Sequence, residues 1–184
     1  MIKYILLIFF IMQNFAHGSI KSEIINNFKS IKNISFNFKQ KIEDKIEEGK
    51  CSIVYPKKIL CIYNDFYKKI LVSNGKSLVI NPNKNNQYYR YNLEQTPLNV
   101  ILDKEFIIQK MEESENTSTD INFALFKFEH EQSLVSIYFN KKDLNIVGWT
   151  TTDVYQNKVE TIISNLEKNL DIDLNIFIIQ KYTN

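Results

Sequence analysis

At 184 residues, 44% of them hydrophobic and 24% charged, the chain is long enough for one well-buried domain and short for two. The formal net charge of +2 gives no electrostatic footprint for nucleic acid or an anionic membrane. Only four glycines are present, which leaves no Gly-rich phosphate loop, and the two cysteines have no histidine near them to complete a zinc site.

The chain opens MIKYILLIFFIMQNFAHGS: Lys3, an apolar run from Tyr4 to Met12, then the small residues Ala16 and Gly18. That is the pattern of a secretory signal cleaved after Gly18, and the run is too short to span a bilayer comfortably. The expected organisation is a signal peptide over 1–18 and a single exported domain over 19–184. Loss of the leader removes Lys3 and His17; every remaining cation except Arg90 is a lysine, and His130 is the one histidine left. No partner for a triad stands near it, and no Ser or Thr sits in a nucleophile elbow. The expectation is a non-enzyme without metal or cofactor.

Ile20, Ile24, Ile25, Phe28 and Ile31 recur at three- and four-residue spacing, with Lys21, Glu23, Asn26 and Lys29 opposite them. This predicts an amphipathic helix over Ser19–Lys32 that covers a sheet face. From Asn33 to Lys41 the alternation of Ile34, Phe36 and Phe38 with Ser35, Asn37 and Lys39 predicts a strand with one face buried or ligand-facing. The mixed charges that follow, Glu43, Asp44, Glu47 and Glu48 among lysines, read as a solvated turn rather than an acid–base pair.

The next hairpin carries both cysteines. A three-residue loop at Tyr55, Pro56 and Lys57 sets Cys51 opposite Cys61, within disulfide reach. A two-residue loop would set Cys51 against Ile62 instead, leaving two free thiols as the alternative. In the first register Cys51, Ile53, Tyr55, Ile59, Cys61 and Tyr63 share one face, while Ser52, Val54, Leu60 and Ile62 share the other. Both faces are substantially apolar, so both are expected to be covered.

Further strands are predicted over Lys69–Ser73 and Ser77–Asn81, joined at Asn74-Gly75, and over Gln87–Asn92. Thr96-Pro97 then starts a short helix, Thr as N-cap, whose Leu98, Val100, Ile101 and Leu102 would pack over or plug the sheet. The pattern weakens from Phe106, and Glu112–Asp120 reads as a mobile loop. Strands resume over Phe123–Phe128, Ser133–Phe139, Trp149–Val154 and Val159–Leu166. The tail Ile172–Ile179 reads as an edge strand or a capping segment.

Several of these pieces resemble, in their order, the periplasmic outer-membrane lipoprotein carrier proteins (LolA). They are Phe38-Lys39-Gln40, the strand from Gly49 to Tyr55, Tyr55-Pro56, Leu71-Val72-Ser73-Asn74-Gly75, and Thr96-Pro97-Leu98 with Leu102. The resemblance implies an α+β fold, mainly β: a strongly curved antiparallel sheet or unclosed β-barrel of ten or eleven strands with a helical lid, as in LolA and LolB. It also implies a carrier that takes acylated lipoproteins from an inner-membrane releasing transporter to an outer-membrane acceptor lipoprotein, and works as a monomer. The acyl-chain cavity is expected at Phe36, Phe38, Ile53, Tyr55, Ile59 and Tyr63, with Leu98 and Ile101 as its plug. Where the family has Arg before the turn proline, tied to lid closure and release, this chain has Tyr55. One hydroxyl and a ring should make a weaker latch. An envelope lipoprotein-sensing module and a secreted structural β-domain without a ligand are the alternatives.

Overall fold

The structure, a computed structural model, describes residues 19–85, 87–114, 120–130, 133–153 and 157–183. The expected signal peptide lies outside the described residues. Helix α1, Ile20–Ser30, starts where the Ser19 hydroxyl accepts from the Ser22 N–H, and it buries Ile24, Ile25 and Phe28. Beyond it run β1 (Asn33–Ile42), β2 (Lys45–Val54), β3 (Lys58–Tyr63), β4 (Ile70–Asn74), β5 (Ser77–Asn81) and β6 (Tyr89–Asn92). Two short helices follow, α2 (Leu98–Leu102) and α3 (Lys104–Glu113), and then β7 (Phe123–His130), β8 (Ser133–Asn140), β9 (Ile146–Thr152) and β10 (Lys158–Lys168).

All ten strands form one antiparallel sheet in the order β6-β5-β4-β3-β2-β1-β10-β9-β8-β7. It is two meanders joined where β1 pairs with β10, and it stays open because β6 and β7 do not pair with each other. Between Ser35 and Asn37 the β1–β10 register shifts, the kind of bulge that increases local bend and twist. The result is the expected mixed α+β architecture: a curved antiparallel sheet, not closed into a barrel, with short helices.

The β2–β3 hairpin takes the three-residue loop. Gly49 pairs with Tyr63, Cys51 with Cys61 and Ile53 with Ile59, and the cysteines form a disulfide with Cα atoms 4.1 Å apart. The concave face then carries Ile34, Phe36 and Phe38 of β1 together with Phe126, Ile137 and Phe139 of β7 and β8 in one large core. Phe28 of α1 meets this layer edge-on, 5.5 Å from Phe139 and 6.0 Å from Tyr55 between ring centroids.

Two expectations change, and an open one is decided. Residues 104–113 form a helix although the apolar pattern weakens from Phe106; Ile107, Ile108 and Met111 are buried, and Asp103 Oδ1 accepts from the Phe106 N–H at 3.2 Å. The spacing of those three residues is helical, but the strip they make is narrow. Thr96 does not cap α2: its hydroxyl donates back to the Leu93 carbonyl at 2.7 Å, closing a 3-10 turn, and Pro97 takes the cap position. The tail takes the second of its two expected forms, a capping segment rather than an edge strand. It forms 3-10 turns over Leu174–Phe177 and Ile179–Tyr182, and Ile179 packs with Val72 and Val79 on the convex face. Both faces of β3–β5 are therefore covered at that point, although Ile62 stays 46% exposed.

Candidate functional site

The helices do not fill the concave face. Over β1, β3 and β5 they leave a cavity of about 670 Å³, a size typical of sites for small molecules. Its floor is set by strand parity. Phe36, Phe38, Gln40 and Ile42 alternate inward along β1, with Cys51 from β2 and Ile59, Cys61 and Tyr63 from β3. Leu71, Leu78 and Ile80 extend the apolar wall across β4 and β5, and Leu98 and Ile101 of α2 roof it. On the opposite side stand Trp149 and Thr151 of β9 with Val159 and Thr161 of β10.

The aromatic side chains hold one another in place. Phe36 meets Trp149 edge-on at 6.1 Å, and Phe38 meets Tyr63 edge-on at 5.0 Å. The ammonium of Lys69 stands 3.8 Å from the Tyr63 ring centroid and 2.6 Å from Glu47, so one lysine ties the ring to a carboxylate behind it. Burial would raise the Glu47 carboxyl, but hydrogen bonds and charge from Lys45 and Lys69 outweigh it and hold the group below its usual value. Burial pushes the Tyr63 phenol well above its ordinary range, and the charges of Glu47 and Asp65 add to that.

Of the eight residues expected at a cavity, six line this one: Phe36, Phe38, Ile59, Tyr63, Leu98 and Ile101. Ile53 and Tyr55 do not. Ile53 is completely buried in the core, and Tyr55 packs beside Phe28 under α1. They share the strand face of Cys51 and Ile59, but the helix lands on that end of the face and occupies it. Leu71, Leu78, Trp149 and the polar Gln40, Thr151 and Thr161 were missed as lining residues. Alternation within β5, β9 and β10 implied a shared face for each strand, and only the pairing of β1 with β10 brings them together.

Among the described residues no group of three or more His, Cys, Asp and Glu side chains is placed to hold an ion. His130 lies elsewhere, edge-on to Phe106 at 5.0 Å.

Three solved structures share the architecture. A putative outer membrane lipoprotein-sorting protein domain from Vibrio parahaemolyticus superposes with a TM-score of 0.50 at 10% identity, covering 88% of this chain and 97% of that one. A DUF1329 family protein from Desulfovibrio piger gives 0.50 at 8% identity, covering 89% and 96%. The MucA/MucB complex of Pseudomonas aeruginosa gives 0.50 at 6% identity, covering 85% of this chain and 60% of that one. At such identities the likeness is one of fold. No curated protein matches the sequence. A family model does: that of the outer membrane lipoprotein carrier protein LolA matches residues 29–180. With this match spanning most of the chain, and the open curved sheet with helices on its concave side, the protein belongs to the LolA family.

Proposed function

We propose that this protein is a periplasmic carrier that shields the acyl chains of lipoproteins in the cavity over β1 and β3 and moves them from the inner to the outer membrane. A releasing transporter would load it and an acceptor lipoprotein would unload it. The observation that carries the reading is an apolar wall left unfilled by its own helices and roofed by Leu98 and Ile101. Hydrocarbon cannot cross an aqueous compartment exposed, because each methylene buried is worth about 0.8 kcal/mol. A carrier without an energy source must hide the chains adequately and still let them go. Val100, Ile101 and Leu102 anchor α2 in the core, and half-buried Leu98 at its start is the part of the roof placed to yield to a ligand. The signal-like leader supports a periplasmic site of action.

The test is direct binding. The secreted chain, starting near Ser19, is titrated with an acylated lipopeptide and with a purified lipoprotein. The wild type should bind both. Leu71→Glu and Leu98→Glu place a charge on half-buried lining positions and should weaken binding at least about tenfold, with β-sheet circular dichroism unchanged. A folded wild type that binds no acylated ligand removes the carrier reading.

A further inference from the structure

Resting on that reading, we propose that Gln40, Thr161 and Thr151 form a polar subsite for the ester and amide groups where the ligand's hydrocarbon joins its peptide head. An acylated peptide is not uniformly apolar. Its chains meet the peptide at carbonyls and N–H groups that lose their water on entry and need partners inside.

The cavity supplies buried partners of that kind along β9 and β10, beside Gln40. Along the inward face of β1 the order is Phe36, Phe38, Gln40, from the helix-covered end toward the strand's open end at Ile42. Gln40 pairs in register with Thr161 of β10, and its Nε2 donates to Thr161 Oγ1 at 3.1 Å. Thr151 stands diagonally across β9 from Thr161, since Thr161 pairs with Trp149 and Val159 with Thr151. Both threonines are buried, at 3% and 7% exposure. Valine would fill those places as well if packing were all that mattered, so their hydroxyls call for another role. A glutamine amide carries two N–H donors and a carbonyl. One donor is used on Thr161; the other donor and the carbonyl have no protein partner among the described residues.

The facing wall is polar in a different way. Arg90, Asn92 and Gln95 there are exposed, the Arg90 guanidinium donating to Ser77 Oγ and Asn92 Oδ1 accepting from the Glu94 N–H at 3.2 Å, whereas Gln40 is half-buried and its two threonines are buried. The two sides of the cavity therefore differ. This orients the ligand, with chain ends toward Ile59 and Ile101 and the acyl–peptide junction at Gln40. It also accounts for the third residue of Phe38-Lys39-Gln40, which an acyl-chain wall alone does not require.

Two ligands separate this subsite from the cavity itself: an uncharged hydrocarbon-like fluorescent dye and a fluorescent N-palmitoyl peptide. Both are titrated into the full secreted chain, wild type and with Gln40→Leu or Thr161→Val. The expected result is a palmitoyl-peptide affinity lowered about tenfold in each variant, with dye affinity held or raised because each substitution makes the lining more apolar. Together the two substitutions should cost less than the product of their separate effects, because they share one hydrogen bond. Thermal unfolding checks each variant, and Thr161→Val carries the test by itself if Gln40→Leu fails to fold. Equal losses for dye and peptide, or no loss for either, would overturn the subsite while leaving the cavity. A wild type that binds the dye and not the peptide overturns the proposed ligand. If it binds neither, the carrier reading itself falls.

Discussion

Phe38 and Tyr63 meet edge-on with ring centroids 5.0 Å apart and planes at 77°, and they do so across Gly49. Gly49 pairs with Phe38 on one side and with Tyr63 on the other, so the missing side chain is what lets the two rings touch. A Cβ there would lie 2.7 Å from Phe38 Cε1 and collide with the backbone carbonyl of Ile62. Gly49→Ala should therefore cost about 1–3 kcal/mol and disturb the cavity floor. A lowered melting temperature with a changed near-ultraviolet aromatic signal would show both effects.

The Cys51–Cys61 disulfide joins neighbouring strands at a sequence separation of 10. Closing so short a loop should stabilise by roughly 2–3 kcal/mol. Cys51→Ala with Cys61→Ala should lower the unfolding midpoint accordingly. Non-reducing peptide mapping of secreted wild type should recover the linked pair, and two free thiols there would contradict the bond.

Glu47 makes ion pairs with Lys45 and Lys69, each at 2.6 Å, and its carboxyl is held below the usual value. A depressed carboxyl contributes stability above its unfolded pKa of about 4.3 and loses it as pH falls through the lower, folded value. Wild type should exceed Glu47→Gln by roughly 1 kcal/mol at pH 7. That advantage should shrink below about pH 4. Urea unfolding at pH 7, 5 and 3 measures it; a gap that grows on acidification would reverse the sign.

The turn residue Tyr55 is packed rather than poised. Its ring lies beside Phe28, and the ammonium of Lys104 stands 5.8 Å from it. Lys104 itself donates to the carbonyls of Lys29 at 3.1 Å and Ile31 at 2.8 Å, tying α3 to the end of α1. Lys104→Met should cost about 1–2 kcal/mol and loosen that contact. Tyr55→Arg should destabilise, because it brings a second cation beside Lys104 and removes the aromatic contact. Hydrogen exchange of the α1 amides distinguishes a loosened helix from an unaffected one.

Ile53→Glu should prevent folding, since that side chain is wholly buried beneath the helices. Leu98→Glu should fold and lose ligand. Secretion yield and circular dichroism separate the two cases.

Much of this fold was written in short-range pattern. Helix α1 follows from Ile24, Ile25 and Phe28 at helical spacing, and the β4–β5 hairpin follows from Asn74-Gly75. The disulfide follows from a loop length that pairs residue 51 with residue 61. These depend on neighbours in the chain, where period and turn chemistry suffice. Helix α3 was hidden because three apolar residues make too narrow a strip to stand out; its burial against α1 decides it. The cavity was legible only as a face. Alternation puts Ile53, Tyr55, Phe36 and Ile59 on apolar faces alike, yet α1 covers the first two and the last two line open space. Where a helix comes to rest depends on contacts such as Phe28 with Phe139, 111 residues apart, and no local period encodes them. The same distance separates the sequence motif at Gln40 from its meaning, since Thr161 reaches it only when the last strand closes on the first.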